Sequence, residues 1–322
     1  MFSIALLVLG FAFSRQEEST LQKLDKDVSA VAEKVRNSVV RVQADDLNLS
    51  GVIYSKEGHV VTDASGVERA IEIRVLVGDH PYAAERVDAD KRTGIAVLKI
   101  AAKALVPAAI STDACKSGST AIVVGNAFGM PSTVSWGPIG GLGRSILVRG
   151  RKYENMLQMS IVVHPGDCGA FVADSAGRLI GLIHSAGAVE NGDEKVVPAP
   201  AFAVPAAWVK FSADRIIKHG RMVRGWLGAS LLPLNDATRS QLGLEAGVGA
   251  EVARVERDSP AKKAGLAARD ILVSYDGQTV RDLDALQWKI AGVEEPTKVK
   301  LVFLRNRESR DVETQIELDP QK

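Results

Sequence analysis

The chain has 322 residues, 46% hydrophobic and 25% charged, and 40 basic against 39 acidic side chains leave a formal net charge of +1. About 150 residues per domain makes this two domains, and the balance excludes extended disorder, collagen-like repeats and fibrous coils. No clustered basic excess marks a nucleic-acid or anionic-membrane surface. Two cysteines, Cys115 and Cys168, and five scattered histidines exclude a disulfide framework and a cysteine-based zinc site; no metal or cofactor is expected.

In chain order, residues 1–14 are an apolar segment whose first 13 residues carry no charge. The run is shorter than the roughly 20 residues a membrane-spanning helix needs. It fits a secretory signal, with Ala12 and Ser14 as the small residues of a cleavage site. The basic residues that usually precede such a core are missing, and a buried N-terminal strand is the alternative. Residues 15–36 read as a helix, because Leu21, Leu24, Val28, Val31 and Val35 make one apolar stripe. Two heptads are too few for a coiled coil, which leaves a helix packed on its own domain or an oligomer seam.

Residues 37–205 read as β-structure. Short Val- and Ile-rich runs at 38–43, 59–62 and 71–77 are separated by turn residues, the pattern of a sandwich or barrel. Lys56-Glu57-Gly58 reads as a hairpin loop. Residues 206–223 form a linker helix with Val209, Ala213, Ile216 and Ile217 on one face, ending at His219-Gly220. A second domain covers residues 224–322.

A series of segments then resembles one known family, the HtrA (DegP/DegS-like) trypsin-fold serine proteases with a C-terminal PDZ domain. Ser50-Gly51-Val52-Ile53 is similar to that family's GSGF segment. His59-Val60-Val61-Thr62 with Val67-Glu68-Arg69-Ala70 resembles the block bracketing its catalytic His, and Thr93 with Ala96-Val97-Leu98-Lys99-Ile100 the block around its catalytic Asp. Gly125-Asn126-Ala127-Phe128-Gly129 resembles GNPFG, Gly143-Arg144-Ser145 follows, and His164-Pro165-Gly166-Asp167-Cys168-Gly169 stands where the family has NPGNSG. Phe202-Ala203-Val204-Pro205 and Arg224-Gly225-Trp226-Leu227-Gly228 complete the series. The resemblance implies a mostly β fold: a trypsin-like double antiparallel β-barrel followed by an α+β PDZ domain.

The departures bear on function. The resemblance places Ser65 at the general-base His, Gly94 at the orienting Asp and Cys168 at the nucleophilic Ser. A nucleophile needs a base within reach, and the base needs a group to hold its tautomer. Ser65 cannot take a proton near neutral pH, and Gly94 has no side chain. Backbone N–H groups of Gly166 and Cys168 can still form an oxyanion hole, but a hole alone gives roughly 10³–10⁴ over water. Gly169-Ala170-Phe171 also replaces the family's Gly-Gly-Pro. The expectation is a pseudoprotease and not an enzyme. The alternative is a relocated dyad of Cys168 with His184, an imidazole on a strand resembling the wall of the family's specificity pocket; His164 is a weaker base. The resemblance also sets Cys115 and Cys168 on separate loops, as two free thiols.

The second domain carries the better-preserved site. Arg224, Trp226, Leu227 and Gly228 resemble a PDZ carboxylate-binding loop, in which N–H groups of Leu227, Gly228 and Ala229 form a nest for a terminal carboxylate. Ala229 to Leu231 would pair with the incoming peptide, and Leu227, Leu231, Leu286 and Ile290 would hold its last side chain. Arg269 stands where the family has Gly. Three readings follow: a non-catalytic protein binding peptide or protein C-termini with an apolar last residue, with a quality-control or regulatory role; a peptidase using Cys168; or a structural subunit. Partners implied are such C-termini, an active HtrA-like relative, or further copies of the chain. The expected location is across the inner membrane, in the periplasm or cell envelope.

Overall fold

In the first strand, β1 (Val39–Ala44), Val40, Val42 and Ala44 are buried while their neighbours are half-exposed. This two-residue period turns one face inward. The computed structural model describes residues 18–320 apart from 112, 149, 186–188, 192–194, 198–199 and 282. The apolar segment 1–14 therefore lies outside the described residues. Two compact units divide the chain, Met1–Ile217 and Lys218–Lys322.

In the first unit β1 is joined by β2 (Leu47–Ile53), β3 (His59–Asp63), β4 (Ile73–Val77), β5 (His80–Asp90) and β6 (Ile95–Ile100), with α2 (Ala64–Val67) after β3. The strands close as a barrel in the order β1-β2-β3-β6-β5-β4. The loop at Lys56-Glu57-Gly58 turns as the sequence suggests. A second closed barrel, in the order β10-β11-β14-β9-β8-β7, is built from β7 (Thr120–Gly125), β8 (Thr133–Val148), β9 (Arg151–Met159), β10 (Phe171–Ala173), β11 (Leu179–Ser185) and β14 (Ala201–Pro205). A separate hairpin joins β12 (Val189–Asn191) to β13 (Lys195–Val197).

Each barrel has its own core. Val42, Ile53, Val60, Val75 and Leu98 meet in the first, and Val123, Ile139, Met159, Val172 and Ile183 in the second. A fully buried aliphatic side chain contributes about 1.5–3 kcal/mol. The scaffold therefore rests on strand packing, and residues on its connecting turns are free to differ. Between β2 and β3 of one barrel and β10 and β11 of the other lies the seam that holds the site.

Helix α1 (Thr20–Val35) starts at a capping box between Ser19 and Gln22. Its apolar stripe is only partly used. Val31 and Val35 are buried, while Leu21 is 77% exposed, because the helix touches the barrel at its C-terminal end, where Lys34 Nζ donates to the carbonyl of Ala176. Helix α3 (Ala206–His219) buries Val209, Ala213 and Ile216. Its Ser212 hydroxyl donates to Asp90 (2.7 Å), and the Tyr54 hydroxyl donates to Asp214 (2.5 Å).

The second unit is a sheet in the order β15-β21-β20-β18-β17-β16, with β19 paired to β18. Its elements are β15 (Gly225–Trp226), β16 (Ala229–Pro233), α4 (Asp236–Leu242), β17 (Ala250–Val255), α5 (Pro260–Lys263), β18 (Ile271–Tyr275), β19 (Gln278–Thr279), α6 (Leu283–Ala291), β20 (Thr297–Arg305) and β21 (Glu308–Leu318). Leu227, Leu272, Leu286, Leu301 and Phe303 form its core. Arg269 adopts φ +72, the left-handed conformation that glycine takes more readily. Beside it, buried Asp270 receives both Nε and Nη2 of Arg305.

Candidate functional site

Strand β3 ends in Asp63, a fully buried carboxylate. Such a group is costly unless its oxygens accept hydrogen bonds. Oδ1 accepts the Ser65 hydroxyl and also the Ser65 N–H at 2.9 Å, the bond by which Asp63 caps α2, and Oδ2 is bonded to His184 Nδ1. His184, on β11, is 3% exposed, and its ring lies against Tyr153 of β9 with centroids 4.0 Å apart. An ionised carboxylate only accepts, so the bond to Asp63 fixes the proton of a neutral ring on Nδ1. Nε2 is left with its lone pair. That atom is buried and has no hydrogen-bond partner among the described residues. Burial pushes the Tyr153 phenol up, with the Arg151 guanidinium opposing.

The imidazole fills the space beside Gly94. A Cβ placed on Gly94 would lie 2.6 Å from His184 Cε1 and 2.7 Å from its Nδ1, well inside contact distance. The small residue at 94 and the large one at 184 are therefore one packing solution.

Cys168 lies on the turn 164–169, half-buried and packed against the first barrel's core. Ser50 of β2 holds this turn: its N–H donates to the Cys168 carbonyl (2.9 Å), its hydroxyl donates to the Gly166 carbonyl (2.8 Å), and it accepts the Asn126 N–H (2.9 Å). The peptides that follow Gly166 and Cys168 are thus fixed. On the other side, Gly169 N–H donates to the Ile183 carbonyl (2.7 Å) and Ile183 N–H to the Ala170 carbonyl (3.0 Å). His184 follows Ile183 on β11 and Cys168 precedes Gly169, so this pairing brings the two residues to neighbouring positions on facing chain segments. His164 instead stacks on Phe128, with centroids 5.3 Å apart. Neither Cys115 nor Cys168 is in a disulfide, and burial pushes the Cys115 thiol up, with the Asp174 carboxylate adding to it.

Asp167, between Gly166 and Cys168, accepts the His164 N–H at 2.8 Å. Burial raises its carboxyl above the ordinary range, and that hydrogen bond opposes the shift. A carboxyl with a raised folded-state pKa favours the fold while protonated and disfavours it as pH rises through that value. Asp167→Asn keeps an acceptor for His164. It is expected to leave stability unchanged near pH 3 and to raise it at pH 7, checked by urea denaturation at both values.

In the second unit the loop 224–228 leads into β16, an edge strand paired only with β17 among the described residues. The Leu227 carbonyl accepts the Ala261 N–H and the Gly228 carbonyl the Glu256 N–H, both at 2.8 Å. Gly228 takes φ +73, and a Cβ there would lie 2.1 Å from Ser259 Cβ; only glycine fits this turn. Helix α6 runs beside β16. Leu227 and Leu286 are buried in the core, while Ala229, Leu231 and Ile290 pack on it and remain partly exposed. The apolar floor between strand and helix is therefore a surface of the core itself.

Residues 49–182 match a trypsin-like peptidase domain, and residues 225–316 match a PDZ domain. Among curated relatives, a "Probable periplasmic serine endoprotease DegP-like" of Chlamydia trachomatis is 33% identical over 272 residues, covering 84% of this chain and 54% of the relative. A protein of the same description from Brucella suis is 32% identical over 275 residues, covering 84% and 52%. Among solved structures, the HtrA-type protease AlgW with tripeptide superposes with TM-score 0.78 at 29% identity, covering 92% of this chain and 98% of that one. The chain belongs to the HtrA family. It spans about half the length of the curated relatives it matches.

This overturns one expectation. The replacements at Ser65, Gly94 and Cys168 suggest a non-enzyme when each position is read alone, yet the HtrA relatives are named as endoproteases. At the seam, the space beside Gly94 is taken by the His184 imidazole, which is bonded to the Asp63 carboxylate. The sequence reading singles out His184 but misses Asp63 and Tyr153. The available signal is an acidic residue closing the apolar run His59-Val60-Val61-Thr62, since a carboxylate at a buried strand end demands a partner.

Proposed function

We propose that this HtrA-family chain is a periplasmic endopeptidase that recognises polypeptides by their C-termini through its PDZ unit and hydrolyses them at the seam between its barrels. The observation that carries recognition is the edge of β16, unpaired among the described residues and lying beside α6, at the end of a tight glycine turn. An extended peptide adds to such an edge as another strand, its carboxylate meeting the amides of Leu227 to Ala229 and its last side chain lying over Leu231 and Ile290. Solved HtrA-type relatives carrying a tripeptide or decapeptide support the reading, and the description of the curated relatives supports the periplasm.

A buried aliphatic side chain contributes about 1.5–3 kcal/mol and each charge-assisted hydrogen bond about 1.5–3, from which ordering and association subtract. Binding near −8 kcal/mol, the micromolar scale, is expected. Titration of the full chain with fluorescent peptides ending in Val or Leu tests this. Amidation of the C-terminus is expected to weaken binding by about tenfold or more, the loss of one such bond. Equal binding of acid and amide would remove the carboxylate loop from the function.

A further inference from the structure

Among the described residues, Nε2 of His184 is a buried side-chain nitrogen at the barrel seam with no hydrogen-bond partner. Leaving a buried polar atom unpaired costs about 1–3 kcal/mol, and such an atom in a packed core calls for an explanation, a catalytic role among them. Its surroundings are specific. Asp63 from β3 holds Nδ1, Ser65 from α2 completes the carboxylate's bonds, and Tyr153 from β9 fixes the ring plane. Beyond Tyr153 lie Arg151 and Glu68. On the chain segment that pairs with Ile183, Cys168 directly precedes Gly169, on a turn held by Ser50.

We propose that the seam holds a rebuilt catalytic set, with Cys168 as nucleophile, His184 as general base and Asp63 as the residue positioning that base, which makes the hydrolysis cysteine-type. The inference rests on the peptidase reading above and deepens it. The roles the resemblance places at 65 and 94 are taken over from 184 and 63, approached from the opposite strand. The Sγ proton passes to Nε2, and the thiolate attacks the scissile carbonyl carbon. A C–S bond forms and the carbonyl electron pair moves onto oxygen, facing the N–H groups of Gly166 and Cys168. Collapse breaks the C–N bond as the imidazolium returns its proton to the leaving amine. Water then gives a proton to Nε2 and attacks the thioester; breaking the C–S bond releases the acid, and the thiolate regains its proton. Asp63 keeps its bond to Nδ1 throughout, in the manner of a triad aspartate.

The test is the pH dependence of Cys168 alkylation by iodoacetamide in the full chain, in a Cys115→Ser background and followed by mass spectrometry. An imidazole that comes within reach of a thiol makes thiolate available below the ordinary thiol range. Alkylation at pH 6.5 is then expected to be about tenfold faster in the parent than in His184→Gln, with the two converging at pH 10, where any thiol is ionised. Asp63→Asn keeps the shape but presents a donor to Nδ1, which moves the ring proton to Nε2; it is expected to slow alkylation at pH 6.5 as His184→Gln does. If the parent itself follows an ordinary thiol profile, or His184→Gln leaves the profile unchanged, the set is refuted. Failure of the peptidase reading looks different: alkylation answers to His184 while no polypeptide is cleaved.

Discussion

Asp63→Ala is expected to destabilise the barrel unit by about 1–3 kcal/mol, the cost of leaving a buried donor without its acceptor. The carboxylate is fully buried and accepts from three groups, Ser65 N–H, Ser65 hydroxyl and His184 Nδ1. Deleting it orphans all three and leaves a cavity at the end of β3. Urea denaturation of the full chain, followed by Trp and far-ultraviolet signals, reads the change. Pairing the mutation with His184→Thr is expected to return part of the loss, because the imidazole no longer lacks an acceptor, with a coupling of about 1–3 kcal/mol in a double-mutant cycle. Strict additivity would mean that the two residues do not depend on each other.

Reinstating the residues the family resemblance suggests is expected to fail. In Ser65→His, Gly94→Asp and Cys168→Ser combined, the Cβ introduced at position 94 would be forced within 2.6–2.7 Å of the His184 ring. Gly94 also holds φ +78, where a Cβ is strained. Overpacking costs about 1–3 kcal/mol and a left-handed non-glycine about 1–2, so Gly94→Asp alone is expected to lose about 2–5 kcal/mol. Adding His184→Thr and Asp63→Asn removes the clash and frees the seam for a side chain at 94. The expected order of stability is therefore the triple variant well below both the parent and the five-fold variant, measured by thermal and urea unfolding. A triple variant as stable as the parent would mean that residues 94 and 184 do not share this space.

How much of this was readable in advance depends on the range of the interaction. The barrels follow from local rules: Val40, Val42 and Ala44 alternate, Gly58 closes a hairpin and Pro205 precedes a helix, each a pattern within a few residues. The PDZ loop is legible for the same reason, since Arg224 to Gly228 is one continuous stretch. Leu21 misled because a stripe tells which face of a helix is apolar and not how far along the helix the neighbour extends. The site resisted for a deeper reason. Asp63 and His184 lie 121 residues apart, and the family resemblance directs attention to His184 but not to Asp63. Reading Gly94 as a loss required only the sequence; reading it as room for His184 required the fold.

The central claim is that the chemistry of this protein now belongs to Cys168, His184 and Asp63. Hydrolysis of casein by the purified full chain between pH 5 and 9, beside Cys168→Ala prepared identically, tests it most directly. The account predicts turnover by the parent and none by Cys168→Ala. Turnover that survives Cys168→Ala, or a parent that cleaves nothing across the range, would contradict it.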